Sequence, residues 1–331
     1  MRRLLPLVLA ELLLASGAAC SSGGASFVLD LSSSGGGADL AIEPMGDLGP
    51  GRPDGSQGPA DLRRSDGGGV VPPPGFHSFP PSKFRMGRAN DPRCWSSVET
   101  GHDVTLTHGF ELMTTEVNQA QFADLMGYNP SAFPGCGITC PVEQVTWHEA
   151  VAYCNELSVR RSLTPCYVCT GSGDSVRCSN SPTYDGKQIY GCPGYRLPSD
   201  AEWELAYRAG TTTAYYNGPL LDCNSNDANL DAIGWYKDNS LGTTHPVAAK
   251  AANTAALYDM SGNVWEWCHD LWDVTPDSAP VTDPIGTRPG NRTLRGGAWD
   301  SPPWFSTASY RFGAPAENKA KQYGFRCART L

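Results

Sequence analysis

From about residue 74 onward, short apolar runs alternate with Gly, Pro and Asn turns, and three segments carry helical periodicity behind a start signal. Asn118, Thr146 and Ser199 each stand three residues before Gln121, Glu149 and Glu202. That is the reciprocal capping-box spacing, in which two side chains satisfy the orphan N–H groups of a first helical turn. Phe122, Leu125 and Met126 then line the first predicted helix, Ala150, Cys154 and Leu157 the second, and Trp203, Ala206 and Tyr207 the third. Gly127 follows the first helix, and Gly210 is placed to end the third through a left-handed cap. Outside the helices lie brief strand-like runs such as 104–106 and 264–267. The pattern predicts one α+β domain over residues 74–331 with much irregular structure.

Before residue 74 the pattern disappears. All nine Trp, all thirteen Tyr and eleven of the twelve Cys lie after residue 73, so the first 73 residues lack the side chains that fill a core. Residues 1–20 have the form of a targeting segment: Arg2 and Arg3, an apolar run over 4–14 that is too short to cross a bilayer, and small residues up to Cys20. Gly17-Ala18-Ala19-Cys20 resembles a lipoprotein cleavage box, which makes Cys20 the expected lipidation site; the alternative is ordinary cleavage near Ala19. Residues 21–73 hold thirteen Gly and a single aromatic, Phe27. Such a segment buries too little apolar surface to offset its ordering entropy, and a flexible spacer of this length spans about 40 Å on average. The expected location is therefore outside the cytoplasm, at a membrane, in the periplasm or on the cell surface.

A formal charge of −9 without a basic stripe argues against a nucleic-acid partner. The eleven Cys of the domain are an odd number, so at least one has no intramolecular partner. Cys166, Cys169, Cys178 and Cys192 admit a four-thiolate zinc reading, but only one CxxC knuckle is present, and disulfides fit an exported chain better. The six His show no HxxxH or HExxH spacing. His148, in a first helical turn, is expected to face solvent. His269-Asp270 has the residues of a base and its orienting acid, although neighbours in a chain rarely face each other in that way.

Seven blocks in order carry a resemblance: Phe84-Arg85-Met86-Gly87, Thr115-Glu116-Val117-Asn118, Pro141-Val142-Glu143-Gln144-Val145-Thr146-Trp147, Tyr195-Arg196-Leu197-Pro198-Ser199-Asp200-Ala201-Glu202-Trp203-Glu204, Leu257-Tyr258-Asp259-Met260-Ser261-Gly262-Asn263-Val264-Trp265-Glu266-Trp267, Leu294-Arg295-Gly296-Gly297-Ala298-Trp299 and Gly324-Phe325-Arg326. Together they resemble the sulfatase-modifying factor family of formylglycine-generating enzymes and their relatives. The resemblance implies a C-type-lectin-related single domain. It also implies a disulfide between Cys154 and Cys327, and a structural Ca²⁺ held by the carboxylates of Asp259 and Glu266 with the carbonyls of Gly262 and Val264, a hard oxygen set.

The same resemblance bears on catalysis. Formylglycine-generating enzymes oxidise a sulfatase Cys with molecular oxygen, using a copper ion on two Cys that follow a Gly-Gly-Ser motif. Here Ala298 takes the place of that Ser, and Ser301 and Ser306 take the places of the two Cys. A hydroxyl stays protonated at neutral pH and is a hard donor, whereas Cu(I) wants thiolates, so copper and formylglycine-generating activity are not expected. Trp265, Trp299 and Trp304 with Arg311, next to Ser301 and Ser306, are the candidate lining of a degenerate cleft. For Trp265 a place in the core is the stronger expectation. Two classes of function follow: a binding module for a peptide, glycan or protein partner, and a metal-dependent oxidoreductase acting on a thiol or another substrate. The insert over 164–192 is expected to form a disulfide-stapled loop beside the cleft.

Overall fold

The computed structural model describes residues 75–88, 94, 99–273 and 278–331. The targeting segment, Cys20 and the spacer lie outside them. No helix among the described residues is long and apolar enough to cross a membrane.

All three capping boxes form. Helix α1 (Gln119–Met126) begins at Asn118, α2 (Trp147–Arg160) at Thr146 and α3 (Asp200–Arg208) at Ser199, each with both reciprocal hydrogen bonds. Gly127 closes α1 in the left-handed region (φ 80°). The end of α3 differs from expectation by one residue: Ala209 itself turns left-handed (φ 42°) and Gly210 follows at φ 92°. A short α4 (Ala228–Ile233) is capped by Asp227.

Strands are brief. β1 (Phe76–Phe79), β4 (Phe110–Met113) and β12 (Ala328–Thr330) form one antiparallel sheet in the order β1-β4-β12, so both ends of the domain flank one strand. A second sheet runs β10-β9-β7-β11, from β7 (Trp265–Leu271), β9 (Arg292–Arg295), β10 (Arg311–Ala314) and β11 (Tyr323–Gly324). A third joins β2 (Ser82–Met86), β3 (His102–Leu106) and β8 (Val281–Thr282), and β5 (Tyr167–Thr170) pairs with β6 (Arg177–Asn180) as a separate hairpin. Two tryptophans stitch α2 to the second sheet: Trp147 Nε1 donates to the carbonyl of Cys268 (3.0 Å), and Trp267 Nε1 donates to that of Val145 (3.0 Å).

The core is crossed by charge. Arg196, Arg295 and Arg326 are fully buried, and each meets carboxylates. Arg196 forms a fork on Glu202 (2.7 and 2.7 Å) and Arg326 a fork on Glu266 (2.7 and 2.7 Å). Arg295 contacts both Asp200 and Glu204, which also take Arg311 and Arg208. Asp200 and Glu204 on the first turns of α3 thus hold arginines from β9 and β10, up to 111 residues away.

Five disulfides join Cys94–Cys223, Cys136–Cys140, Cys154–Cys327, Cys166–Cys192 and Cys169–Cys178. The zinc reading of the 166–192 cysteines gives way to two nested bridges, one at the base of the insert and one across its β5–β6 hairpin. Such bridging is consistent with an exported protein. Cys154–Cys327 closes a separation of 173 residues, the kind of long loop for which the entropy model assigns about 4 to 5 kcal/mol. Cys268 is the free thiol among the described residues and is buried.

Glu202→Gln keeps the side chain's shape and its capping acceptor but leaves Arg196 with an unmatched buried charge. Urea unfolding of the oxidised protein should show a loss of about 3 kcal/mol; a loss under about 1 kcal/mol would contradict the importance given to the pair.

Candidate functional site

The segment that follows β9 is shaped by two glycines. Gly296 (φ 95°) and Gly297 (φ 76°) both lie in the left-handed region, and a Cβ on Gly297 would stand 2.4 Å from Ser306 Oγ. Only glycine lets residues 301–306 fold back against this turn. Ser301 Oγ accepts from the Ala298 N–H (3.0 Å), while Ser306 Oγ is buried without a hydrogen-bond partner. Arg295 anchors the far side of the loop by donating to the carbonyls of Ala308 (2.8 Å) and Tyr310 (3.1 Å). Ser301 and Ser306 therefore sit on one rigid turn.

Aromatic side chains surround this turn. Phe305 stacks on Tyr310 (4.6 Å between centroids), and Trp304 meets Tyr310 edge-on (4.9 Å). Trp265 is 5 % exposed and touches Phe305 (5.9 Å), Tyr310 (6.0 Å) and Phe312 (5.6 Å). Phe312 is 37 % exposed, and Trp304 and Phe305 are half-buried. Trp299 packs instead on Phe133 (5.4 Å) and donates from Nε1 to the Lys321 carbonyl (3.0 Å). Arg311 is held on the opposite side by Asp200 (2.6 Å) and the Asp273 carbonyl (2.9 Å).

The residues proposed to line one cleft are thus distributed. Trp304 borders a cavity of about 310 Å³ and Arg311 another of about 290 Å³; Trp265, Trp299, Ser301 and Ser306 border neither. Phe305, Tyr310 and Phe312 complete the aromatic surface and were missed in the sequence, because a lone aromatic in a loop has no periodicity to mark it.

The acidic loop has a member that the sequence reading did not place there. Asp259 (φ 55°) accepts the Ala248 N–H on Oδ2 (2.6 Å), and its buried Oδ1 has no partner. Glu266 is engaged by Arg326 and by Trp203 Nε1 (2.8 Å). Glu116 reaches in from the segment before α1 and accepts from Val264 N (3.1 Å) and Asn263 Nδ2 (2.8 Å). Burial, with the charges of Asp259 and Glu266, pushes Glu116 well above the usual carboxylate range. Burial likewise raises Asp259 to about 6. Gly262 is required in this loop: a Cβ there would lie 2.1 Å from the Trp235 carbonyl oxygen. No group of three or more His, Cys, Asp or Glu side chains set to hold a metal occurs among the described residues; the calcium set read from the sequence has two carboxylates and two carbonyls.

Two histidine expectations are corrected or resolved. His148 does not face solvent: it is buried beneath the insert, where its Nδ1 accepts from Cys178 N (3.1 Å). His269 and Asp270 point apart. His269 Nδ1 meets the Tyr167 hydroxyl (3.0 Å), whereas Asp270 accepts from the backbone N–H groups of Asp200 (2.9 Å) and Gly286 (2.7 Å). Burial holds His269 well below the usual imidazole range, so it is neutral, and it pushes the Cys268 thiol well up.

Residues 69–331 match the family described as sulfatase-modifying factor enzyme 1-like domain. The chain belongs to this sulfatase-modifying factor family. Among its relatives, chaperone protein LppX of Paenibacillus barcinonensis is 32 % identical over 248 residues, covering 69 % of this chain and 82 % of that protein. The formylglycine-generating enzyme of Thermomonospora curvata is 32 % identical over 215 residues, but the match spans only 58 % of that enzyme and 59 % of this chain. Among solved structures, Treponema denticola variable protein 1 superposes with a TM-score of 0.66 at 29 % identity, over 77 % of this chain and 95 % of that one. The small sheets, few helices and long loops are the C-type-lectin-like architecture of the family.

Glu143, in the family block before α2, is buried behind Phe133, whose N–H it accepts (2.9 Å). Burial raises it to about 7. A carboxyl raised on folding contributes stability that is fully present below its unfolded value of about 4.5 and is lost as pH rises through about 7. Glu143→Gln should therefore match the parent near pH 4.5 and exceed it by about 2 kcal/mol at pH 8 in denaturant unfolding. Parallel stability profiles would contradict this.

Proposed function

We propose that this protein is an exported binding domain for an extended polypeptide segment, built on the sulfatase-modifying factor fold without its copper chemistry. One observation carries the reading: the two positions that resemble the copper cysteines are Ser301 and Ser306, locked on one turn, the second buried against Gly297. Neither hydroxyl supplies the soft anionic donor that Cu(I) requires. The remaining thiol of the described domain, Cys268, is buried and protonated, a poor nucleophile and ligand. Beside the turn, Phe305, Phe312 and Trp304 offer the rigid apolar anchors typical of recognition surfaces. The name of the Paenibacillus relative, a chaperone, supports a polypeptide as the partner.

Incubation of the oxidised protein with oxygen, copper and a Cys-containing sulfatase peptide should yield no aldehyde by mass spectrometry. Aldehyde formation would return the chain to the oxidoreductase class, as a metal-dependent oxidase acting on a thiol.

Calcium forms part of the same reading. The partnerless Oδ1 of Asp259 supports a cation in the 259–266 loop. So does the balance of charge, since Glu116, Asp259 and Glu266 gather around a single guanidinium, that of Arg326. Asp259, the carbonyls of Gly262 and Val264, and Glu266 would hold it and tie β7 to the loop before it. Millimolar Ca²⁺ should raise the unfolding temperature by about 3 to 5 °C over a chelator-treated sample, and Asp259→Asn should abolish the response. An unfolding temperature indifferent to calcium would rule the site out.

A further inference from the structure

The cavity that Trp304 borders has a chemistry of its own. It measures about 310 Å³ and is walled by the Cys94 end of the Cys94–Cys223 bridge, the segment after α3, and Trp304, Thr307 and Ser309. Three of its four hydroxyl groups have already used their protons. Ser309 donates to Glu99 (2.6 Å), Thr307 to the Trp304 carbonyl (3.1 Å) and Thr213 to the Tyr215 carbonyl (2.5 Å). A hydroxyl carries one proton and two lone pairs, so each of the three can now only accept. Glu99, 4 % exposed, adds a buried carboxylate, another acceptor.

Two guanidiniums, Arg88 and Arg208, also border the cavity, and the charge of Arg208 is matched by Glu204 (2.8 Å). A cation entering here meets those guanidiniums, and an anion meets Glu99. A ligand that suits the wall is uncharged, brings several O–H donors and presents an apolar face to the Trp304 indole. The size fits one ring: the volume lies at the bottom of the ~300 to 1,000 Å³ range of small-molecule pockets.

We propose that this cavity binds a single neutral sugar unit, its C–H face against Trp304 and its hydroxyls donating to Glu99, Ser309, Thr307 and Thr213. The cavity shares Trp304 with the 301–306 turn, but Glu99, Thr213, Thr307 and Ser309 lie outside that turn, so sugar binding does not require the polypeptide reading to hold.

The test is saturation-transfer NMR on the full-length oxidised protein with a panel of neutral hexoses, deoxyhexoses and N-acetylhexosamines as methyl glycosides, and with n-butylammonium as the cationic probe. At least one glycoside should bind saturably at millimolar concentration. Trp304→Ala should abolish that signal, and Glu99→Gln, which keeps the shape of the side chain, should weaken it about tenfold. Near-UV circular dichroism checks that each variant is folded; should Trp304→Ala fail that check, Glu99→Gln and Thr307→Val decide. Silence from every glycoside overturns the proposal. So does binding that ignores the folded variants, or a pocket that takes n-butylammonium in place of sugar.

Discussion

The architecture depends on burying guanidinium groups only where carboxylates wait for them. An unmatched charge in a low-dielectric interior costs several kcal/mol, so each arginine that enters the core fixes where its partner must be. Helix α3 carries the partners: Asp200, Glu202 and Glu204 all lie in its first turns and hold Arg295, Arg311, Arg196 and Arg208. Arg295 then fixes the loop beyond β9 through the Ala308 and Tyr310 carbonyls. The geometry of the 301–306 turn is thus inherited from α3, and so is the position of the aromatic surface beside it. With strands of two to seven residues, backbone ladders alone are too short to define this arrangement. Ion pairs, five disulfides and the Trp147 and Trp267 cross-links do that work.

This division of labour lets the chemistry of a loop change while the fold persists. Neither the Ser301 nor the Ser306 side chain is hydrogen-bonded to the arginine network. Ser301 instead caps its own turn through Ala298, and Ser306 packs against Gly297. The oxidising environment implied by the disulfides suits such a domain, since its cross-links pin the insert, the C-terminal strand and the Cys94 segment independently of any ligand.

The fold was legible in the sequence where local rules and packing agree. The three capping boxes each start the helix they mark, because the orphan N–H groups of a first turn have few other sources of acceptors. The ordered blocks identify the family, and the structure gives their physical meaning: Arg196, Glu202, Glu204, Glu266, Arg295 and Arg326 are its buried charges. The end of α3 at Ala209 was not legible, because no glycine marks it; there the Ala209 carbonyl accepts from Thr254 Oγ1 (3.0 Å). Nor was the burial of His148, which results from an insert whose path is set by disulfides and not by periodicity. The site was legible only in part. Ser301 and Ser306 were picked by their place after Gly296-Gly297, but the aromatic residues beside them, Phe305, Tyr310 and Phe312, and Glu116 in the acidic loop come from distant or irregular segments. Trp299 and Arg311, read with Trp265 and Trp304 as the lining of one cleft, point elsewhere.

The claim that this fold has shed its redox metal is tested most directly by Cu(I) competition between the oxidised protein and a chromophoric chelator under anaerobic conditions. The account predicts that the chelator keeps all of its copper at equimolar protein. Stoichiometric withdrawal of Cu(I), lost on Ser301→Ala or Ser306→Ala, would contradict it.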